Sequence, residues 1–189
     1  MRIISGKYKG RKIYPPKNLP SRPTTDRLKE GLFNVLQNKF DFTNLKVLDL
    51  YSGTGNISYE FASRGSLNII SVDQNRICVE FIKKTSLLFN AKINVIRSDS
   101  LNFLKKNNNK FNLIFADPPY KIHYDIYKKI INLSIDKLLI NGLLIIEHNR
   151  KIDLTIQPNY YMKRKYGDST ISFFNSNIKK KQAYKPDSV

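Results

Sequence analysis

The chain has 189 residues and a formal net charge of +18, from 33 Lys and Arg against 15 Asp and Glu. This length suits one domain, or one domain with a small appendage, and it can bury a core without disulfides. Cys78 is the single cysteine of the sequence, which excludes an internal disulfide and a cysteine-rich metal site. The opening residues lack the apolar run of a secretory signal, and the apolar stretches are too short to span a bilayer. We therefore expect a cytoplasmic protein that uses no membrane.

The positive charge is concentrated at the two ends of the sequence. Residues 1–40 contain ten basic and two acidic side chains, and residues 150–189 contain nine and three. Clustered lysine and arginine indicate a nucleic-acid-binding protein, because each neutralised phosphate releases counterions. The alternative is that the many lysines only keep the surface solvated.

The first forty residues predict a hairpin followed by a helix. Residues 2–5 and 11–15 can pair around two glycines, and residues 24–40 predict a helix capped by Thr24 or Thr25. Helical spacing gives this helix an apolar stripe that would dock on the rest of the chain. The stripe consists of Leu28, Leu32 and Leu36.

From about Lys46 to Glu147, short β-rich runs alternate with helical patterns. The predicted strands are residues 46–51, 68–73, 93–99, 111–120 and 142–148, the last preceded by an Asn-Gly turn. The predicted helices are residues 57–65, 76–90, 101–106 and 124–135. The strands are near-continuous Val/Ile/Leu runs, as expected for a parallel sheet covered on both faces. Residues 160–167 and 169–175 predict an antiparallel pair that closes the sheet edge.

These elements predict an α/β fold with a mostly parallel, doubly wound sheet and an antiparallel edge. We expect three parts: a basic hairpin and helix extension at residues 1–40, a main domain at 41–175, and a mobile basic tail at 176–189. If the strand order is 3-2-1-4-5, ligands bind where the first and fourth strands end side by side.

The first candidate site is the segment DLYSGTGN at residues 49–56. Gly53 and Gly55 allow a tight turn and a close backbone approach before a helix N-terminus. The third glycine of a dinucleotide-binding fingerprint is replaced by Ser58, which argues against a pyrophosphate-bearing cofactor. Asp49 would repel phosphates, but it would suit the cationic amino group or sulfonium of a methyl donor. Tyr51 lies in the same turn and is a further cofactor-binding candidate.

Two acidic residues end the next two strands. Asp73 can accept hydrogen bonds from both hydroxyls of a ribose, or it can cap the following helix. Asp99 can bond an adenine amino group, with Ser100 beside it, or it can cap the helix that follows, and both readings can hold at once.

The segment DPPY at residues 117–120 is the most informative candidate. Its two prolines stiffen the strand exit and leave backbone carbonyls available to accept hydrogen bonds. The Asp117 carboxylate and the Pro118 carbonyl can hold the two hydrogens of an exocyclic base amine, which aims the nitrogen lone pair at a methyl group. Tyr120 offers a flat face on which a splayed-out base can stack.

Four other residues are weaker candidates. His123 and His148 lack partners at metal-ligand spacing, so we predict structural or surface roles and no metal site. Cys78 is interpreted as a small core residue. Glu147 could flank the cofactor pocket, but we interpret it as a solvated strand end.

These segments resemble the RsmD family, the 16S ribosomal RNA guanine-N2 methyltransferases of bacteria. The matching segments are RIISGKYKGRKI at 2–13, RPTTDRLKEGLFNVL at 22–36, DLYSGTGNISYEFASRG at 49–65 and DPPY at 117–120. The resemblance implies a Rossmann-like class I methyltransferase fold and transfer of a methyl group from S-adenosylmethionine to guanine N2, of the guanine 966 type. It implies 16S rRNA or an assembling small ribosomal subunit as the partner, and we expect a monomer.

The resemblance also implies roles for matching positions. Asp49, Gly53 and Gly55 would line the methionine end of the donor, Asp73 its ribose, and Asp99 with Ser100 its adenine. Asp117, Pro118 and Tyr120 would be the catalytic residues. The candidates for substrate binding are Lys7, Arg11, Arg22, Thr24, Asp26 and Pro119.

Two other functions remain open on the sequence. One is an adenine-N6 methyltransferase acting on DNA or RNA, since such enzymes share the DPPY segment, although the DNA-specific ones usually carry an inserted recognition domain. The other is a non-catalytic RNA-binding assembly factor that has kept the fold.

Overall fold

The computed structural model describes residues 1–16 and 25–177. Its helices are α1 (Asp26–Gln37), α2 (Asn56–Ser63), α3 (Arg76–Phe89), α4 (Ser100–Lys106) and α5 (Tyr124–Ile135), with a short 3₁₀ turn at Phe42–Asn44. Its strands are β1 (Lys46–Leu50), β2 (Asn68–Asp73), β3 (Ile93–Arg97), β4 (Phe111–Ala116), β5 (Leu138–Asn149), β6 (Tyr160–Tyr166) and β7 (Ser169–Asn175). Residues 178–189 of the predicted mobile tail lie outside the described residues.

The described strands form one seven-stranded sheet in the order β3-β2-β1-β4-β5-β7-β6. The first five strands are parallel, and β7 runs antiparallel to both β5 and β6. The predicted order 3-2-1-4-5 and the predicted antiparallel edge are therefore confirmed. Because β1 and β4 are neighbours, the segments that follow them meet at the carboxyl edge of the sheet.

Two details of the strand predictions were wrong. The fourth strand ends at Ala116, so the DPPY segment follows the strand as a turn. The fifth strand begins at Leu138, and the predicted Asn141-Gly142 turn lies inside it as an irregularity in the pairing with β4. Asn141 has a φ of 63°, and a Cβ on Gly142 would lie 2.8 Å from the Leu139 carbonyl oxygen. Asn141 and Gly142 therefore form an irregularity within β5 and do not precede the strand.

The sheet is covered on both faces, as its apolar strands require. On one face the α1 stripe packs with α2 and the sheet in a single buried cluster that includes Leu28, Leu32 and Leu36. On the other face, α4 and α5 pack against the sheet in a second cluster. Helix α1 begins after Thr25, whose hydroxyl accepts a hydrogen bond from the Leu28 amide at 3.3 Å. The proposed boundary near residue 40 thus separates two segments that share one core.

The N-terminal residues form the predicted hairpin, with Arg2 bridged to Lys12. The apolar side of the hairpin packs on α2 and α3 in a third cluster. The amide of Lys7 donates to the Ser63 carbonyl at the last residue of α2, at 2.7 Å. A Cβ on Gly6, whose φ is 84°, would clash with that same carbonyl, so glycine is required where the hairpin touches α2.

A buried ion-pair network ties the hairpin, α1 and α2 together. The Lys29 ammonium, fully buried, donates to Glu60 Oε1 and to Asn56 Oδ1, both at 3.1 Å, and to the Arg2 carbonyl. Glu60, also fully buried, pairs with Arg64 as well. Asn56 is the first residue of α2, so this network fixes the helix end that faces the carboxyl edge of the sheet. None of the helices within the described ranges is long and apolar enough to cross a membrane.

Candidate active site

A cavity of about 600 Å³ opens at the carboxyl edge of the sheet, above β1 and β4. The glycine turn after β1 and the DPPY segment after β4 both line it, as the strand order requires. The polar and charged lining residues are Asp49, Tyr51, Ser52, Thr54, Asn56, Asp73, Gln74, Asn75, Ser100, Asp117, Tyr120, Lys121 and Glu147. The cavity therefore holds four carboxylates against a single lysine among the described residues.

The turn after β1 has a backbone that ordinary side chains disfavour. Gly53 and Gly55 have φ values of 52° and 78°, and Tyr51 adopts a φ of 55° although it is not glycine. A Cβ on Gly55 would lie 2.9 Å from Ile82 and 3.0 Å from Tyr59, so the turn can approach α3 only with glycine there. Backbone held in this region is typical of a ligand-binding turn.

Asp73 supports this turn directly. Its Oδ2 accepts a hydrogen bond from the Gly53 amide at 2.8 Å, and its Oδ1 accepts one from the Asn75 amide at 2.8 Å. The cap of α3 is Asn75, whose side chain accepts from the Ile77 amide. The alternative reading of Asp73 as the helix cap is therefore wrong, and its carboxylate faces the cavity beside the glycine turn.

Asp49 is almost completely buried beneath the turn. Its Oδ2 accepts hydrogen bonds from the Ser58 hydroxyl at 2.6 Å and from the Ser58 amide at 3.2 Å. Burial raises the pKa of Asp49 to about 7, and the nearby charge of Asp73 adds to the rise. Ser58, in place of a third glycine, thus gives this buried carboxyl two hydrogen-bond donors.

The lining of the cavity also includes Tyr51, Cys78 and Ser100. Asp99 caps α4 by accepting from the Asn102 amide at 2.9 Å, so the capping interpretation is confirmed. Burial raises the pKa of Tyr51 to about 12, and the Asp99 charge adds to this. Burial, with the Asp73 charge, likewise raises the pKa of Cys78 to about 11, which keeps this thiol protonated at neutral pH.

The DPPY turn is anchored to the sheet at both ends. The Asp117 amide donates to the Leu50 carbonyl at 3.4 Å, which joins the turn to β1. Pro118 is buried and Pro119 is exposed, and both line the cavity. The Tyr120 hydroxyl shares a hydrogen bond of 2.6 Å with the Ser169 hydroxyl, which ties the other end of the turn to the first residue of β7.

Glu147 lines the cavity, which is the less favoured of the two positions that its sequence context predicted. It is 4% exposed and lines the cavity, so its interpretation as a solvated strand end was wrong. Its Oε1 accepts from the Ser169 hydroxyl at 3.0 Å and lies 3.3 Å from the Tyr120 hydroxyl. The available signal was its position at the end of an apolar parallel strand next to the strand that carries Asp117.

The described substrate-binding candidates occupy three different places, namely the cavity lining for Pro119, the first turn of α1 for Asp26, and the hairpin for the two cations. Lys7 and Arg11 lie on the hairpin, where the Arg11 guanidinium sits 5.2 Å from the Phe89 ring at the last residue of α3. The first turn of α3 lines the cavity, so the length of this helix, about 20 Å, separates Arg11 from it. Asp26 pairs with Arg2 at 2.8 Å and with Lys29. Arg22 and Thr24 lie outside the described residues.

The two histidines have ordinary structural surroundings. His148 is buried, with its ring bonded to the Ser172 hydroxyl at 2.8 Å, and burial lowers its pKa. His123 is exposed at the start of α5. Within residues 1–16 and 25–177, no group of three His, Cys, Asp or Glu side chains is arranged to hold a metal ion.

The fold is the Rossmann-like fold of class I methyltransferases. The structure matches a hypothetical protein of Thermus thermophilus with a TM-score of 0.81 and 22% identity, over 92% of this chain and 98% of that one. It also matches the T. thermophilus 16S rRNA N2 G1207 methyltransferase (RsmC) in complex with AdoMet and guanosine, with a TM-score of 0.67 and 19% identity, over 83% and 45%. At these identities both comparisons concern the fold alone.

The sequence comparisons identify the family. The family described as Conserved hypothetical protein 95 matches residues 1–175. The chain is 34% identical to the ribosomal RNA small subunit methyltransferase D of Buchnera aphidicola subsp. Baizongia pistaciae, over 87% of this chain and 85% of that protein. The chain belongs to this family of methyltransferase D proteins, so the resemblance noted from its motifs is confirmed.

Proposed function

We propose that the protein transfers a methyl group from S-adenosylmethionine to the exocyclic N2 of a guanine in 16S rRNA. The observation that carries this proposal is the shared cavity, in which the glycine turn and the DPPY segment face one reaction volume. The donor would occupy the half between Asp49, Asp73 and Ser100, and the base would occupy the half between Asp117 and Tyr120.

The donor half fits S-adenosylmethionine by its chemistry. The Ser52 hydroxyl is buried in the lining and has no hydrogen-bond partner among the described residues, as expected of a group that meets a ligand. The Asp49 carboxylate can face a cationic group, and Asp73 can accept from ribose hydroxyls. The cavity's one described cation is Lys121, beside the DPPY turn, so the donor half offers little to a pyrophosphate. When bound, S-adenosylmethionine supplies an electrophilic methyl group.

The acceptor half would hold and activate the base amine. The Asp117 carboxylate and the Pro118 carbonyl accept the two amine hydrogens, which draws the nitrogen out of conjugation with the ring. The Tyr120 ring, held by its hydroxyl, stacks on the base and sets its plane. Positioning and electrostatics would supply the rate. No strong base is needed, because the nitrogen becomes acidic once it is cationic and its proton can pass to the Asp117 carboxylate that already accepts it.

The choice of substrate is supported by relatives and by charge. Two relatives, 34% and 35% identical, are named as small-subunit ribosomal RNA methyltransferases, and a structural neighbour is described with AdoMet and guanosine bound. The net charge of +18 suits an RNA partner. We therefore propose guanine N2, of the guanine 966 type, as the target atom, in 16S rRNA or an assembling small subunit.

The deciding experiment is product mapping with labelled methyl donor. Purified protein is incubated with 16S rRNA lacking the modification, with immature small-subunit particles and with DNA, and the digested products are identified by mass spectrometry. We expect label in N2-methylguanine of the RNA or the particle. Label in N6-methyladenine would select the adenine-specific alternative, and RNA binding without label would select the non-catalytic assembly factor.

The Asp117→Ala variant tests which half of the cavity does the chemistry. Loss of an amine acceptor should lower kcat by about 10²–10³-fold, the range for removing one group that stabilises a transition state. The donor dissociation constant, measured by calorimetry, should stay within about twofold of the wild-type value because the glycine turn is untouched. A weakened donor affinity with normal turnover would mean that Asp117 belongs to the donor half.

A further inference from the structure

We propose that Glu147 determines base specificity, by accepting the N1–H of the target guanine while Asp117 and the Pro118 carbonyl hold its N2 amine. This inference rests on the proposed function and deepens it. It assigns the choice between guanine and adenine to a carboxylate on β5, outside the DPPY segment.

The register of the sheet places the two carboxylates side by side. Ala116 of β4 is paired with Ile146 of β5 in parallel alignment, so Asp117, the first residue after β4, follows directly on the residue paired next to Glu147. Adjacent strands lie about 4.8 Å apart, and paired residues project to the same face. Both side chains line the same cavity. A base whose amine reaches Asp117 therefore presents the neighbouring atom of its Watson–Crick edge towards Glu147.

Glu147 is held in place by groups from two other elements. The Ser169 hydroxyl, at the start of β7, donates to its Oε1 at 3.0 Å, and the Tyr120 hydroxyl lies 3.3 Å from the same oxygen. The carboxylate is thus fixed beside the ring on which the base would stack. A carboxylate offers about four acceptor sites, so these contacts are compatible with a further bond to a ligand.

The chemistry of the base edges gives this arrangement its selectivity. Guanine presents N1–H and the N2 amine, which are adjacent donors that match adjacent carboxylates. Adenine presents its N6 amine beside an N1 lone pair, and that lone pair would face the Glu147 oxygens without a hydrogen between them. A site built to bond a substrate N–H rejects analogues that lack it, because a buried polar group is left unpaired.

The test compares guanine with 2-aminopurine, which keeps the N2 amine but has an acceptor at N1. The base identified by product mapping is replaced by 2-aminopurine in 16S rRNA assembled by ligation of a synthetic segment. We expect the wild-type protein to prefer guanine by roughly 100-fold in kcat/KM, the scale set by one buried unpaired group. Glu147→Gln, whose amide can donate to an N1 acceptor, should narrow this ratio by at least about tenfold.

Three matched variants distinguish recognition of the base by the Glu147 carboxylate from the contacts that hold this carboxylate in place. Glu147→Asp keeps an acceptor carboxylate and should retain the preference for guanine with a lower kcat. Ser169→Ala and Tyr120→Phe each remove one contact to Glu147 but keep its carboxylate, so the ratio should stay within about threefold of wild type. If Tyr120→Phe abolished the preference as fully as Glu147→Gln does, Glu147 would act only by positioning Tyr120, and the proposal would be overturned.

The outcomes also distinguish this inference from the function on which it rests. A wild-type protein that makes no N2-methylguanine refutes the proposed function, and this inference with it. A wild-type protein that methylates guanine N2, together with a Glu147→Gln variant that binds donor normally and keeps the full preference for guanine, refutes the inference alone.

Discussion

The reaction cavity and the N-terminal hairpin carry opposite charges in the same strongly basic chain. The cavity is lined by four carboxylates and one lysine. The hairpin exposes five cations and no carboxylate, namely Arg2, Lys7, Lys9, Arg11 and Lys12. The net charge of the chain therefore describes its attraction to RNA, whereas the proposed chemistry takes place in an acidic pocket that suits a cationic donor and a base amine. The hairpin and the cavity thus differ in charge and in proposed role, and one buried ion-pair network connects them.

Lys29 connects the hairpin to the cavity through its hydrogen bonds. Its ammonium contacts the Arg2 carbonyl of the hairpin, the Asn56 side chain at the cavity, and Glu60 between them. We expect the largest effect on the free energy of unfolding from Lys29→Met, which removes these contacts. Removing one partner of a buried ion pair leaves the other uncompensated and destabilises a protein by about 3–5 kcal/mol. Because Arg64 still pairs with Glu60, we expect the lower end, measured by urea unfolding.

The Lys29→Met variant should also weaken donor binding, because Asn56 loses a contact that fixes the start of α2. The matched control is Arg76→Ala, which removes the exposed Arg76–Glu80 pair and should change the free energy of unfolding by less than about 1 kcal/mol. Equal destabilisation by the two variants would show that the hairpin and the cavity are not coupled through Lys29.

Asp49→Asn tests whether the acidity of the cavity serves the donor. Replacing the carboxylate removes a charged partner of the cation, which costs about 1.5–3 kcal/mol, or roughly ten- to a hundredfold in donor affinity. Since burial raises the pKa of Asp49 to about 7, wild-type donor affinity should increase as the pH rises through 7 and the carboxyl ionises. Calorimetric titrations at pH 6 to 8 should show this rise in the wild type, and a flat profile in the variant.

The stability of the ligand-free protein should show the opposite trend. The folded protein holds a proton on Asp49 that the unfolded chain releases near its ordinary pKa of 3.8. This contribution to the free energy of unfolding is complete below pH 4 and is lost as the pH rises towards 7. Asp49→Asn should remove that decline. If Asp49→Asn bound the donor as tightly as the wild type does, the charge of Asp49 would not contribute to donor binding.

The sequence predicted the residues that line the cavity better than it predicted the buried contacts that hold them in place. Apolar strand runs and close glycines are local signals. Together with the strand order assumed for a doubly wound sheet, they predicted that Gly53 and Asp117 would meet, as they do in the cavity. Glu147 and Lys29 depend on contacts with residues distant in the sequence. A helical lysine is expected to be solvated, yet Lys29 is completely buried, and four polar partners surround its ammonium. The capping role of Asn75 was available locally and was overlooked, because Asp73 is itself a good cap.

The smallest effect is expected from the hairpin cations, which should affect RNA affinity and leave chemistry unchanged. Lys7→Ala and Arg11→Ala remove charges that lie at the far ends of α2 and α3 from the cavity. If each contacts one phosphate, each should weaken binding of 16S rRNA severalfold and lower the slope of log affinity against log salt by about 1. The turnover number at saturating RNA should stay at the wild-type value, since neither side chain lines the cavity.

Lys129→Ala on α5, across the sheet from the hairpin, is the matched control for charge alone. Both hairpin variants should reduce affinity more than this control does, as measured by filter binding at several salt concentrations. Arg11 also packs on the rings of Tyr8 and Phe89, so its loss should lower stability by about 0.5–1 kcal/mol, an effect that Lys7→Ala should show less. Equal salt slopes for all three variants would mean that the hairpin cations act only through the net charge. RNA affinity would then arise from the basic surface as a whole, and the hairpin would make no specific phosphate contact.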